Sequence, residues 1–432
     1  MNDALDAMSN RYADLGLVRL DEDEFLKLET ESLIENLQML SNQECNIDSV
    51  DYDFSLNIHK RCNAKSTLMA DAKIIEKFFQ KDSDCKEVVE SLTRSYVQKL
   101  ELFFGDSAVT CEVNLTSDFG EHSSAIGRIQ GNVIIFDGIK YGEHERFMRA
   151  TESGFPTSND FSKPSYSCPT ASNVLTGSKT LPRTTEENED CLYLKITAPL
   201  EAFEFGADKR KVITWIHGGT FNFDGMDVVY EDPTALVGEQ DLIVVKMNYR
   251  LGAFGNWFFP LRVDSQPKSN FAILDQRLAM KWVHDHISSF NGDAEDITLA
   301  GASAGGASVL IHLTHEDSYD FYKNAIVMSA TTTPYWSEED ATTGYGYIAS
   351  KLGCSSPETF QQNLMSGDLI SCLQSIDINQ FKATIIESGN IFGSIALSAG
   401  RLSQMEFTFA PNIDNETLTK IPRIAIQVTG HC

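Results

Sequence analysis

The 432 residues predict an α/β protein, a mainly parallel sheet with helices on both faces, preceded by a small helical module that contains cysteines. Three features carry that expectation. From about residue 124, short β-rich runs bounded by Gly, Asn and Asp alternate with helical patterns, the rhythm of strands joined by helical crossovers. Two of those runs, VITWI and LIVVKM, are apolar at nearly every position, as strands covered on both faces must be. Residues 1 to about 120 differ, with no Pro, few Gly and apolar residues at helical spacing.

In chain order, the first region carries 24 acidic and 12 basic side chains. One apolar stripe runs Phe25, Leu26, Leu33, Ile34, Leu37, Leu40, and a second runs Ile74, Ile75, Phe78, Phe79, then Val88, Val89, Leu92, Tyr96 and Leu100. Stripes at that spacing build a core, and they suggest no function. Residues 1–120 are therefore read as one acidic, mainly helical region and 121–432 as the α/β domain. In the latter, GRIQGNVIIFDGIKY and CLYLKITAP read as strands, KVITWIHGG as a strand entering a Gly-rich loop, and DLIVVKMNYR as the next strand. LDQRLAMKWVHDHISSF reads as a helix, and DITLAG and NAIVMSA as strands.

Asp and Glu number 62 against 35 Lys and Arg, a formal net charge of -27. That excess repels phosphate backbones and anionic lipid surfaces, so nucleic acid is not an expected partner. No stretch approaches the roughly 18 apolar residues of a membrane-spanning helix. The opening MNDALDAMSN has neither the basic start nor the apolar run of a secretory signal. Nine cysteines and the sequons at Asn114 and Asn415 point the other way, because disulfides and glycosylation belong to the secretory route. Buried free thiols in a cytoplasmic protein are the alternative reading of the odd count. Cys45, Cys62, Cys85 and Cys111 would allow three connectivities that sequence cannot separate.

DITLAGASAGGASVL carries the chemistry. A serine hydroxyl is a poor nucleophile unless held exposed beside a base, and a sharp strand-to-helix turn holds it so. Such a turn leaves no room for side chains two residues either side of the serine, which is where Gly301 and Gly305 flank Ser303. An acyl-transfer serine also needs backbone N–H donors where negative charge develops on the carbonyl oxygen. The loop Ile216 to Phe221, directly after VITW, is placed to supply them, with the Ala304 amide adding another.

From about Ser124 onward the chain resembles the type B carboxylesterase and cholinesterase family of the α/β-hydrolase fold. The motifs occur in order: Arg146-Phe147, NEDCLYL at Asn188 to Leu194, IHGGTF at Ile216 to Phe221, NYRLGAFG at Asn248 to Gly255, LDQRLAMKWV at Leu274 to Val283, GASAGG at Gly301 to Gly306 and APNID at Ala410 to Asp414. The resemblance implies Ser303 as nucleophile and Gly219, Thr220 and Ala304 as oxyanion-hole donors, acting on a small-molecule carboxylic ester with no cofactor or metal. It implies disulfides Cys168 to Cys191 and Cys354 to Cys372, each stabilising by about 3 kcal/mol. It further implies ion pairs of Arg146 with Glu189 and Arg250 with Asp275, and an extracellular location.

Departures from the family pattern are equally specific. Members usually carry a third glycine where this chain has Thr220, and Glu where it has Ala302. The neuroligin-like adhesion proteins of the family also carry a small hydroxyl residue at the first of these, so a non-catalytic protein-binding domain is the alternative reading. The family's acid and histidine follow the serine, whereas this sequence reaches Cys432 at or before the acid position, and impaired catalysis is expected of this chain. Glu416 and His431 are the acid and histidine that remain in that order. His284, His286, His312 and His315 read as surface or helix-terminal residues without a third metal ligand. Trp257, Phe258, Phe259 and Trp336 read as packing residues that could also line a pocket.

Overall fold

The computed structural model describes residues 110–119, 122–154, 156–170, 185–204, 206–259, 269–330, 335–356, 367–388, 391–392, 394–395, 409–414 and 417–418. The helical stripes expected before residue 110, Asn415, Glu416 and His431 lie outside them. By contacts the chain divides into two units, Met1–Val113 with Ile126–Asn132, and Asn114–Ala125 with Val133–Cys432. In the first unit, Cys111 is buried and disulfide-bonded, and the Arg128 guanidinium donates to the Gln130 side chain at 3.0 Å. Strand β1 (Thr110–Phe119), which precedes β2 (His122–Gln130), lies wholly inside the region 1–120 read as mainly helical, and Asn114 is an exposed residue of it. Cys111 and Val113 are buried while Asn114 and Thr116 are exposed, a period of two that ten residues are too few to register beside long helical stripes.

The second unit is built on strands β3 (Val133–Lys140), β6 (Tyr193–Pro199), β7 (Arg210–Ile216), β8 (Ile243–Met247), β9 (Gly292–Ala302) and β10 (Asn324–Met328). Their order is β3-β6-β8-β7-β9-β10. The four from β8 to β10 pair in parallel, and β6 runs antiparallel to both β3 and β8, so the sheet is mainly parallel as expected. The two-residue strands β4 (Gly142–Glu143) and β5 (Thr151–Glu152) form a separate ribbon.

Helices cover both faces. Val133 and Ile135 of β3 pack with Val244 and with Val237 of α1 (Thr234–Gln240). Phe136, pointing to the opposite face, meets Phe290 edge-on at 5.2 Å, just beyond the end of α3 (Phe271–His286). That double cover is why all five β8 residues are buried. β10 is the exception: its Ile326, Val327 and Met328 are 46%, 38% and 39% exposed, because it is last in the order of the described strands.

Beyond β10, α5 (Glu338–Lys351), α6 (Gly367–Ser375) and α7 (Ile378–Ser388) close a second core against α2 (Gly252–Asn256) and the segment after it. Trp257, Phe258, Phe259 and Trp336 are all buried there, the packing role expected of them. Both implied disulfides are present, Cys168–Cys191 ahead of β6 and Cys354–Cys372 between the end of α5 and α6. Arg146 grips Glu189 through two bonds of 2.7 and 2.6 Å, and its remaining amine donates to the carbonyls of Leu373 and Ile376 at the end of α6. No helix of the described residues is long and apolar enough to cross a membrane.

Candidate active site

Ser303 stands at the junction between β9 and α4 (Ala304–His312), with φ 56° and ψ −118°. A residue with a side chain holds such a conformation only where its surroundings impose it. Here the Ser303 amide donates to the Met328 carbonyl on β10 at 3.0 Å, and its carbonyl accepts from the Ala307 amide at 2.9 Å. The turn is also pressed against the end of β7. A Cβ placed on Gly305 would lie 2.0 Å from the Ile216 carbonyl oxygen, and one on Gly301 2.6 Å from the Gly305 backbone. Only glycine fits at either flank. Ser303 itself stays partly exposed, and Ala304 is buried at the first position of α4, where an amide has no intrahelical acceptor.

The loop after β7 takes its shape from three consecutive residues in the left-handed region, Gly219 (φ 89°), Thr220 (φ 52°) and Phe221 (φ 63°). The Asn222 and Phe223 amides both donate to the Gly219 carbonyl, at 2.8 and 3.1 Å. A Cβ on Gly218 would lie 3.1 Å from the Ala302 carbonyl oxygen and 3.4 Å from the Ser303 Cβ. The structure therefore brings Ala302 and Ser303 against the Gly218 end of the loop that carries Gly219 and Thr220. Thr220 is β-branched and left-handed at once, a strained combination that a third glycine would relieve.

Two neighbouring side chains just after β8 hold this loop, neither of them assigned by sequence reasoning, and the next residue, Arg250, anchors the same segment to α3. Asn248 accepts from the Met226 amide at 2.9 Å and donates to the Tyr166 carbonyl at 2.9 Å. The Tyr249 hydroxyl donates toward the carbonyls of His217 and Gly218, at 2.9 and 3.3 Å, while its ring stacks on the His217 imidazole at 4.3 Å. Burial raises the Tyr249 phenol well above its usual range, so it remains a donor. Arg250 meets Asp275 of α3 through bonds of 2.7 and 2.6 Å, both groups buried, with its guanidinium 4.9 Å above the Phe271 ring. The signal for Asn248 and Tyr249 was their place directly after a buried strand, next to an arginine already singled out.

Behind the turn, α4 is tied to α3 by a buried polar chain. The Ser308 hydroxyl donates to the Ala304 carbonyl at 2.9 Å and accepts from the Gln276 amide at 3.1 Å. The Gln276 carbonyl oxygen lies 3.1 Å from His312 Nε2, and the Ser318 hydroxyl 3.1 Å from His312 Nδ1. Since an amide oxygen only accepts, His312 carries its proton on Nε2. Burial, with the nearby Arg277 charge, holds its imidazole well below the usual range. His312 ends α4 as expected but is not a surface residue: Ser308, Gln276 and Ser318, each remote or unremarkable in sequence, form a polar slot that buries it.

His284 and His286 end α3, facing Asp285 at 3.0 Å and Glu152 at 3.6 Å. His315 lies 3.9 Å from Asp317. Among the described residues no histidine is hydrogen-bonded to the Ser303 hydroxyl, and none belongs to a group of three or more side chains able to hold a metal.

A parallel sheet whose strand turns sharply into a helix at a serine, beside a Gly-rich loop, defines the α/β-hydrolase class. The carboxylesterase family matches residues 120–431, and the chain belongs to that family. It is similar to the cholinesterase of Mus musculus, 31% identical over 250 residues that cover 56% of this chain and 37% of that protein. It is likewise similar to the para-nitrobenzyl esterase of Bacillus subtilis (strain 168), 32% identical over 261 residues, 60% of this chain and 47% of that one. Acetylcholinesterase 4 of Caenorhabditis briggsae is 38% identical over 181 residues, 41% of this chain and 29% of that protein. The chain thus spans less than half the length of these relatives. The solved structure of a PNB esterase shares the fold at a TM-score of 0.57 and 24% identity, covering 73% of this chain and 60% of that one.

Proposed function

We propose that this chain supplies the nucleophile and the oxyanion-binding loops of a carboxylic ester hydrolase that works through an acyl-Ser303 intermediate. The observation that carries the reading is the left-handed turn at Ser303, pressed against the Gly218 loop by glycines that admit no side chain. Ser303 Oγ attacks the ester carbonyl carbon, its proton passes to a general base, and the alcohol leaves with a proton returned to it. Water then repeats the sequence on the acyl-serine and releases the acid. The amides of Gly219, Thr220 and Ala304 would receive the oxyanion, and loss of one such donor costs about 10²- to 10³-fold in rate. The reading assigns the general base to residues outside those described. Bonded Cys168–Cys191 and Cys354–Cys372 support folding in an oxidising compartment.

Thr220 favours a second reading, a non-catalytic domain that binds a protein partner, because its strain falls on an amide the first reading uses. A fluorophosphonate probe separates the two. Covalent labelling of the folded chain that Ser303→Ala abolishes supports the hydrolase. A folded chain that takes no label at Ser303 overturns it in favour of the binding domain.

A further inference from the structure

Lys246 is the next-to-last residue of β8, with its side chain 3% exposed, an unusual place for an ammonium group. It donates to the Glu231 carbonyl at 3.1 Å and sits 3.7 Å from the Glu231 carboxylate, which is itself 12% exposed. The same carboxylate accepts from Trp215 Nε1 of β7 at 2.8 Å. Glu231 ends the short helical turn Val229–Glu231, the far end of the loop that begins at His217. Its neighbour Tyr230 donates to Asp224 at 2.8 Å, and the Asp224 Cβ lies 3.0 Å from where a Cβ of Gly219 would be. A contiguous line of contacts thus runs from Lys246 through Glu231, Tyr230 and Asp224 to Gly219.

We infer that Lys246 is a proton-dependent tether for this loop: its charged ammonium holds Glu231 against the sheet, and loss of that proton frees the turn Val229–Glu231. The geometry fits a tether rather than a packing residue. Burying an ammonium and a carboxylate is costly unless each offsets the other, so removing one charge leaves the second isolated and favours outward movement to water. Val229 and Tyr230 are 66% and 61% exposed, so Glu231 is the residue of the turn whose side chain the sheet holds, through Lys246 and Trp215. The groups facing Lys246 are Glu231, Asp227 and Asp232 from the loop and Lys195 from β6, and Lys195 is paired with Asp137 of β3 at 2.8 Å. Desolvation, only partly opposed by Glu231, lowers the Lys246 ammonium to about 8, within reach of mild alkali. The inference does not rest on Ser303 being a nucleophile, and its test uses no ester.

Chymotrypsin cleavage of the exposed Tyr230–Glu231 bond reports opening of the turn. Cleavage of the full chain is followed by mass spectrometry between pH 7 and pH 9 and normalised to an unstructured peptide. The wild type is expected to cleave about tenfold faster at the higher pH, the change in neutral fraction of an amine titrating near 8. Lys246→Arg, charged throughout, should cleave slowly at both pH values, and Glu231→Gln, which keeps the contact with Trp215 but not the charge, fast at both. A flat wild-type profile, or a Lys246→Arg profile that rises like the wild type, overturns the inference. Circular dichroism confirms that each variant is folded, and the wild-type profile decides alone if Lys246→Arg is not.

Discussion

Ser303 concentrates conformational strain on a single hydroxyl-bearing residue, and glycine at the same place would carry little of it. Ser303→Gly is therefore expected to stabilise the fold by about 1 kcal/mol in urea denaturation while removing probe labelling. Asp275→Ala should act the other way. It strands the Arg250 guanidinium in a site where both groups are buried, at a cost of about 3–5 kcal/mol on the same assay. His312 predicts a pH dependence. Its imidazole is held well below the usual range when folded but titrates near 6.5 when unfolded, so the unfolded chain takes up the proton first. Its contribution is complete above pH 6.5 and is lost as pH falls below, by up to about 1.4 kcal/mol per pH unit. His312→Gln should flatten that part of a denaturation series. An unchanged slope in the variant would show that other groups set it.

At the scale of elements, α5 illustrates how local chemistry and a covalent link cooperate. Ser337 caps it by accepting from the Asp340 amide at 3.2 Å, and three acidic residues fill its first turn. Ser337→Ala should lower stability by about 1 kcal/mol, measured as a shift of the urea midpoint without a change of slope. The far end of α5 is joined to α6 by Cys354–Cys372, and replacing both cysteines by serine should remove about 3 kcal/mol. The strands show where local reading holds and where it stops. VITWI and LIVVKM look like doubly covered strands and are buried as such, because a run of apolar residues is a local fact. NAIVMSA looks the same, yet β10 is largely exposed, because position in the strand order depends on the path of the whole chain.

For the whole molecule, the formal charge of -27 makes the folded state self-repulsive. Raising ionic strength to about 0.15 M shortens the screening length to about 8 Å, and the thermal midpoint should rise in a salt titration by scanning fluorimetry. A midpoint that falls or stays level would mean that the acidic surface is already neutralised by its own ion pairs. At this scale the division between sequence and structure becomes plain. The sequence by itself determined the α/β order, the serine between two glycines and the second Gly-rich loop, because each is written within a few adjacent residues and serves a local steric need. The disulfide and ion-pair partners followed from an ordered likeness to a family. Only the tertiary structure decided that Tyr249 steadies the loop, that His312 is buried against Gln276, and that Lys246 reaches Glu231. Those partners lie 32, 36 and 15 residues apart, and they meet through strand register and helix packing that no short stretch encodes.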